Sequence, residues 1–157
     1  VIGSLVLGCS TLVGRLCGQT VSLPRLELAL QAWVETLLPS DEGSLGAGRL
    51  NVHLDVIELA SENKQYQQLL EIGIRWADTE ARKLGVEGFA ELSPEQAEGL
   101  VSLAESMGLQ SMPGLFFYHT LKDAKRVYYA RKGSWSGVGF PHAPQPLGYM
   151  DYTEAPK

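Results

Sequence analysis

Between Pro24 and Ala130, apolar residues recur at three- and four-residue steps in five separate stretches, and no stretch of useful length alternates apolar with polar. A period near 3.6 buries one face of a helix, whereas a half-buried strand needs a period of two. The first stretch runs from Pro24 to Leu38, with Leu26, Leu30, Trp33 and Leu37 as its stripe and Pro24 suited to the first turn. The second covers Leu50 to Glu62, with Leu50, Leu54, Ile57 and Ala60 expected inward. Gln65 to Leu84 follows, striped by Tyr66, Leu70, Gly73, Ala77, Ala81 and Leu84, the small residues admitting a close neighbour. On its outer faces Glu71–Arg75 and Asp78–Arg82 are spaced to pair at i,i+4, for about 0.2–0.5 kcal/mol each.

The breakers fall between these stretches. Pro39, Ser40, Asp41, Gly43, Gly46 and Gly48 make a loop, Gly85 suits a C-terminal cap, and Phe89 and Leu92 anchor a short connection. Ser93-Pro94-Glu95-Gln96 spells a capping box with proline at the first helical position. Ala97, Leu100, Val101, Ala104 and Met107 give the fourth helix its apolar face. Met112-Pro113-Gly114 opens the fifth, striped by Phe117, Leu121, Ala124 and Tyr128. The expectation is an all-α protein: a compact bundle of about five to six helices over residues 24–129. The 157 residues suit a single domain that removes about 70% of its unfolded surface from water.

Glycine and proline are then concentrated where the helical period stops. Of 17 Gly and 8 Pro, residues 130–157 hold Gly133, Gly137, Gly139 and Gly148 with Pro141, Pro144, Pro146 and Pro156. Trp135, Phe140, Tyr149 and Tyr152 stand among them, and a disordered tail is ordinarily poor in aromatics. Rigid prolines and spaced aromatics suit an extended C-terminal arm, laid either over a partner or back over its own helices. Trp135, Phe140, Pro141, Pro144, Pro146, Tyr149 and Tyr152 are its candidate partner contacts.

At the other end, Val1 to Gly14 carries no charge. As a helix it spans about 21 Å, short of a roughly 30 Å hydrocarbon core. Residues 1–23 therefore read as an apolar helix buried against this protein or a partner, or as what remains of an export signal. A third reading places a lipid on Cys9, since Val6-Leu7-Gly8-Cys9 loosely matches a lipoprotein cleavage box. Cys9 and Cys17 are the only cysteines; on one helix their Cα atoms lie about 12 Å apart, too far for a disulfide.

Chemistry-bearing patterns are few. In Gly133-Ser134-Trp135-Ser136-Gly137 the place of a nucleophilic serine is taken by Trp135, and Gly137-Val138-Gly139 is cut off by Phe140-Pro141 from any dinucleotide fingerprint. His53, His119 and His142 are far apart and read as surface or hydrogen-bonded residues. Asp41-Glu42 and Glu95/Glu98 read as solvated charge. No catalytic, cofactor-binding or metal-binding residue is assigned. The net charge of −5 argues against nucleic acid. The basic residues Lys122, Lys125, Arg126, Arg131 and Lys132 cluster near the end of the last helix, where cations complement its dipole and could steer an acidic partner.

Several of these segments together resemble the gluconate 2-dehydrogenase subunit 3 family. They are Leu37-Leu38-Pro39-Ser40-Asp41, the Leu50–Ile57 helix, Ala81-Arg82-Lys83-Leu84-Gly85 with Phe89, and Leu92-Ser93-Pro94-Glu95-Gln96. The arm is similar too: Trp135, Gly137-Val138-Gly139-Phe140-Pro141, Pro144-Gln145-Pro146-Leu147-Gly148-Tyr149 and Asp151-Tyr152, so that the likeness spans about residues 26–152. It departs where the family's Tyr-Gly-Gly-Asn is replaced by Ala130-Arg131-Lys132-Gly133-Ser134, and it shows no twin arginine. The resemblance implies a small, non-catalytic subunit of a periplasmic or membrane-associated dehydrogenase acting on sugars, sugar acids or alcohols. It implies a large FAD-binding partner of the glucose–methanol–choline type, haem c in a further cytochrome subunit, and twin-arginine export of the folded complex. Membrane association would come only through the complex or the N-terminal segment. The other reading, without the resemblance, is a free-standing exported helical binding or scaffold protein, or a lipoprotein.

Overall fold

Leu26, Ala29, Leu30, Trp33 and Val34 are buried on one face of the first helix, α1, Leu23–Leu37, which places Pro24 in its first turn. The computed structural model describes residues 21–139. Among them α1 is followed by α2 (Val52–Ser61), α3 (Lys64–Lys83), α4 (Pro94–Ser106) and α5 (Met112–Ala130), with no strand. Short 3₁₀ turns lie at Phe89–Glu91, Lys132–Ser134 and Ser136–Val138. The fold is the expected all-α bundle, with five α-helices among the described residues. Residues 1–20 and 140–157 lie outside the described residues, and with them Cys9, Cys17, His142, Phe140, Pro141, Pro144, Pro146, Tyr149 and Tyr152.

The helix ends follow the local signals. Asn63 caps α3 by accepting from the backbone N–H groups of Gln65 and Tyr66. Gly85 ends it in the left-handed region at φ 88°, where Val86 N–H reaches the Ala81 carbonyl and Gly85 N–H that of Arg82. Ser93 and Gln96 form the capping box of α4.

The core is built around Trp33. Its ring packs at 5.1 Å from Phe89 and 4.7 Å from Phe116, and its indole N–H donates to Thr120 Oγ1 at 3.0 Å. Thr120 in turn donates to the Phe116 carbonyl at 2.7 Å, so the buried polar atoms are satisfied. Gly73 of α3 lets the Phe116 ring in: a Cβ there would stand 2.1 Å from its Cγ. The small face of α3 thus receives α5, as the spacing predicts.

Several sequence expectations are corrected. In α2 the inward residues are Val52, His53, Val56 and Ala60; Leu54 is exposed, because the helix starts at Val52 behind a left-handed Asn51. In α5 the buried line is Phe116, Thr120, Ala124 and Tyr128, so Phe117 and Leu121 only flank it. Leu84 and Met107, expected in the apolar stripes of α3 and α4, are exposed past the buried ends of those stripes. Asp78 is not on an outer face of α3 paired with Arg82. It is buried, accepts from the Phe89 backbone N–H at 3.0 Å, and pairs with Arg25 of α1 at 2.8 Å. Glu71 and Arg75 form no ion pair among the described residues.

Candidate functional site

The C-terminal arm leaves the body where the end of α5 meets the loop between α1 and α2. That loop is stiff despite its glycines. Glu35 of α1 accepts from the Gly48 N–H at 2.8 Å and from Ser40 Oγ at 3.0 Å, and Ser40 accepts from the Gly46 N–H at 2.8 Å. A Cβ at Gly46 would lie 2.1 Å from Glu35 Oε1, so a side chain there would push the Glu35 carboxylate off these bonds. Asp41 closes a turn of its own, accepting from the N–H groups of Gly43 (2.8 Å) and Ser44 (2.6 Å) and from the Ser44 hydroxyl. These bonds, that from Gly43 foremost, hold its carboxyl below the ordinary aspartate range.

Residues 128–139 fasten onto this loop. The Tyr128 hydroxyl donates to the Leu45 carbonyl at 3.0 Å and lies 3.1 Å from Ser44 Oγ. Arg131 donates to the Leu50 carbonyl and pairs with Asp55 of α2. Ser134 is buried, with Oγ 2.8 Å from the carbonyls of both Tyr128 and Arg131. Ser136 Oγ donates to the Gly43 carbonyl. A Cβ at Gly137 would come within 2.6 Å of Ser44 Oγ, and one at Gly43 within 3.2 Å of Gly137 Cα. Gly137, shared by the apparent nucleophile elbow and dinucleotide loop, is therefore a packing residue, whereas a Cβ at Gly139 would meet only open space and that residue is set apart by its left-handed φ of 77°.

Trp135, the one candidate contact among the described residues, is half-buried at this root. Its indole N–H donates to the Tyr129 carbonyl at 2.9 Å, and the Tyr129 ring is exposed beside Tyr128 at a centroid distance of 5.2 Å. Of the extended arm expected over 130–157, Ala130 is the last residue of α5 and residues 131–139 are coiled in 3₁₀ turns against the chain's own loop. The partners of that root, Tyr128, Arg131, Ser134 and Ser136, escape a sequence reading. The only available signal is the cluster of Asp41, Gly43, Gly46 and Gly48, which marks a loop but not what it holds.

The basic cluster is dispersed. Arg131 is tied to Asp55, Arg126 lies 3.7 Å from Asp123, and the last turn of α5 carries no cation. His119 stacks at 5.9 Å from Tyr66. His53 is neither on the surface nor fully hydrogen-bonded: it is buried in the first turn of α2 and its Nδ1 has no partner. Burial pushes its imidazole below the ordinary value, with Arg131 acting the same way and Glu27 and Asp55 opposing. Among the described residues no three His, Cys, Asp or Glu side chains group as a metal site, and no helix is long and apolar enough to cross a membrane.

The family model described as Gluconate 2-dehydrogenase subunit 3 matches residues 26–141, which takes in all but the first three residues of α1, the other four helices and the arm root. No curated protein and no solved structure gives a significant match.

Proposed function

Because the chain belongs to the gluconate 2-dehydrogenase subunit 3 family, and so to the accessory subunits of dehydrogenase complexes, we propose that it clamps and stabilises a large FAD-dependent catalytic subunit. FAD, the substrate pocket and the catalytic base belong in this reading to the large subunit, which acts on a sugar, sugar acid or alcohol. Electrons pass onward to a haem c subunit, and the folded complex is exported to the periplasm.

The observation that carries the clamp is the rigid root. Five side chains (Ser44, Tyr128, Arg131, Ser134 and Ser136) tie residues 128–139 to the loop and to one another, and Asp41 shapes the loop they grip, so the segment beyond starts from a fixed point. A fixed start lowers the ordering cost of docking. Trp135 and Tyr129 stand at that point as half-buried and exposed aromatics, the residue type that dominates interface energetics. Phe140, Pro141, Pro144, Pro146, Tyr149 and Tyr152 continue the contact along the partner.

The test is co-purification of the large subunit with a chain ended after Gly139, which keeps the root, and with one ended after Ala130, which removes it. Both should lower complex yield and dye-linked dehydrogenase activity. Unchanged yield and activity with the chain ended after Gly139 would show that no clamp exists. The isolated chain is expected to bind no flavin, and stoichiometric flavin absorbance in it would overturn the accessory role.

A further inference from the structure

Where α2 and α5 lie side by side they leave an open groove of about 490 Å³, which reaches the arm root at Arg131. Its apolar part is Leu59 of α2 with Val127 and Ala130 of α5. Leu59 is half-buried yet takes no part in the core around Trp33, and Ala130 is exposed. The two walls differ in how their charges are met. On the α5 side Arg126 lies 3.7 Å from Asp123, and Arg131 pairs with Asp55 across the end of the groove. On the α2 side Glu58 and Glu62 are exposed and belong to no ion pair among the described residues.

Both acids stand where α2 itself is the worse for them. They are like charges at i,i+4, a spacing that costs a helix stability. Glu58 is in the last turn and Glu62 at the C-cap, where the helix dipole is negative and no basic residue offsets it. The chain's own fold gains nothing from acids there, whereas a cationic occupant of the groove does. A furrow between two helices is shaped for a third, read through side chains three and four residues apart. From Asp55 to Glu62 it runs about 10 Å, or two helical turns. We propose that it receives a helix of the large catalytic subunit, with an apolar side chain over Leu59, Val127 and Ala130. Two Lys or Arg residues of that helix, one turn apart, face Glu58 and Glu62. This rests on the accessory-subunit reading and adds to the clamp a second contact on the helical body.

The test uses the full chain in complex with the large subunit. Glu58→Lys with Glu62→Lys should weaken the complex at least ~10-fold at low salt, and the difference should shrink toward about 0.5 M salt as the charges are screened. The urea midpoint of the isolated variant should hold or rise, since like charges at a negative helix end are removed. Glu98→Lys with Glu105→Lys makes the same charge change on exposed positions of α4 and should leave affinity unchanged. A photoreactive benzoylphenylalanine in place of Leu59 should crosslink to a large-subunit peptide with two Lys or Arg one turn apart around an apolar residue. Unchanged affinity in the groove variant, or an equal loss in the α4 variant, would sink the proposal. A midpoint that falls would show that the acids serve the fold, with the same consequence. A crosslink to a second copy, to residues 1–20 or 140–157 of this chain, or to a large-subunit peptide without that pattern overturns it too. The clamp is judged separately, because a chain ended after Gly139 keeps the whole groove. Loss of affinity in one variant without the other shows which contact is absent.

Discussion

The Trp33 core and the arm root are both ordered, but by different forces. Around Trp33 the side chains of α1, α3 and α5 exclude water, and a single chain of hydrogen bonds through Thr120 satisfies the polar atoms. At the root little apolar surface is buried. There, the carboxylates of Glu35 and Asp41 accept from backbone N–H groups while Tyr128, Arg131 and Ser136 donate to carbonyls, and these bonds define the geometry. Burial is cooperative across the body, so the core sets global stability, whereas hydrogen bonds on a partly exposed loop set local opening. A segment that must engage a partner is well placed on the second kind of structure.

The largest expected effect tests the core. Trp33→Ala empties a fully buried site against Phe89 and Phe116 and leaves Thr120 without its donor, which should cost about 3–5 kcal/mol in urea unfolding. A cost comparable to that of a root substitution would erase the distinction between the regions. Asp78→Ala comes next. It orphans the buried Phe89 N–H and frees Arg25, for about 2 kcal/mol, and should loosen the Phe89–Glu91 turn before the rest of the bundle. Gly88 belongs to the same contact, since a Cβ there would lie 2.9 Å from Asp78 Oδ1.

These two substitutions also divide what was legible in the sequence from what was not. Trp33 lies on a stripe at helical spacing, and periodicity reads such residues wherever the stripe is long. The capping box at Ser93 and the glycine cap at Gly85 are equally local, so they too are visible. Asp78 is also on a helix, but its partners are 53 and 11 residues away, and nothing local separates it from a solvated acid. The inward face of α2 departs from its expected stripe because the helix start depends on Asn51 turning left-handed and on the Leu50 carbonyl being held by Arg131, 81 residues on. The root was invisible for the same reason: its glycines are explained by neighbours across the fold. The likeness to a family reached the arm only because a pattern of residues stood in for that missing geometry.

Tyr128 spans both regions, with its ring in the core and its hydroxyl in the root, and so separates them within one side chain. Tyr128→Phe keeps the packing and removes the bond to Leu45. The global cost should be about 1 kcal/mol. Amide exchange over Gly43–Gly48 should accelerate more than exchange in α3. Uniform acceleration would mean that the root unfolds only with the body.

The smallest effect depends on pH and sits at the boundary. His53 is buried in the first turn of α2, faced by Glu27 from α1, Asp55 from α2 and Arg131 from the root. Its folded pKa is lowered, chiefly by burial, so as pH falls below the ordinary histidine value the unfolded chain takes up a proton that the folded chain refuses. Stability is therefore full above that value and declines as pH falls, until the folded imidazole is itself protonated. The two carboxylates oppose burial, which keeps the effect small. Comparing urea midpoints at about pH 7.5 and about pH 5.5, on either side of the ordinary value near 6.5, the wild type should lose more stability than His53→Leu. Because Arg131 lies beside the charged imidazole, the loss should appear first as faster exchange around Leu50 and Asn51, where the root is tied to α2. An equal pH slope in both proteins would place the titration elsewhere and leave His53 a purely structural residue of the body.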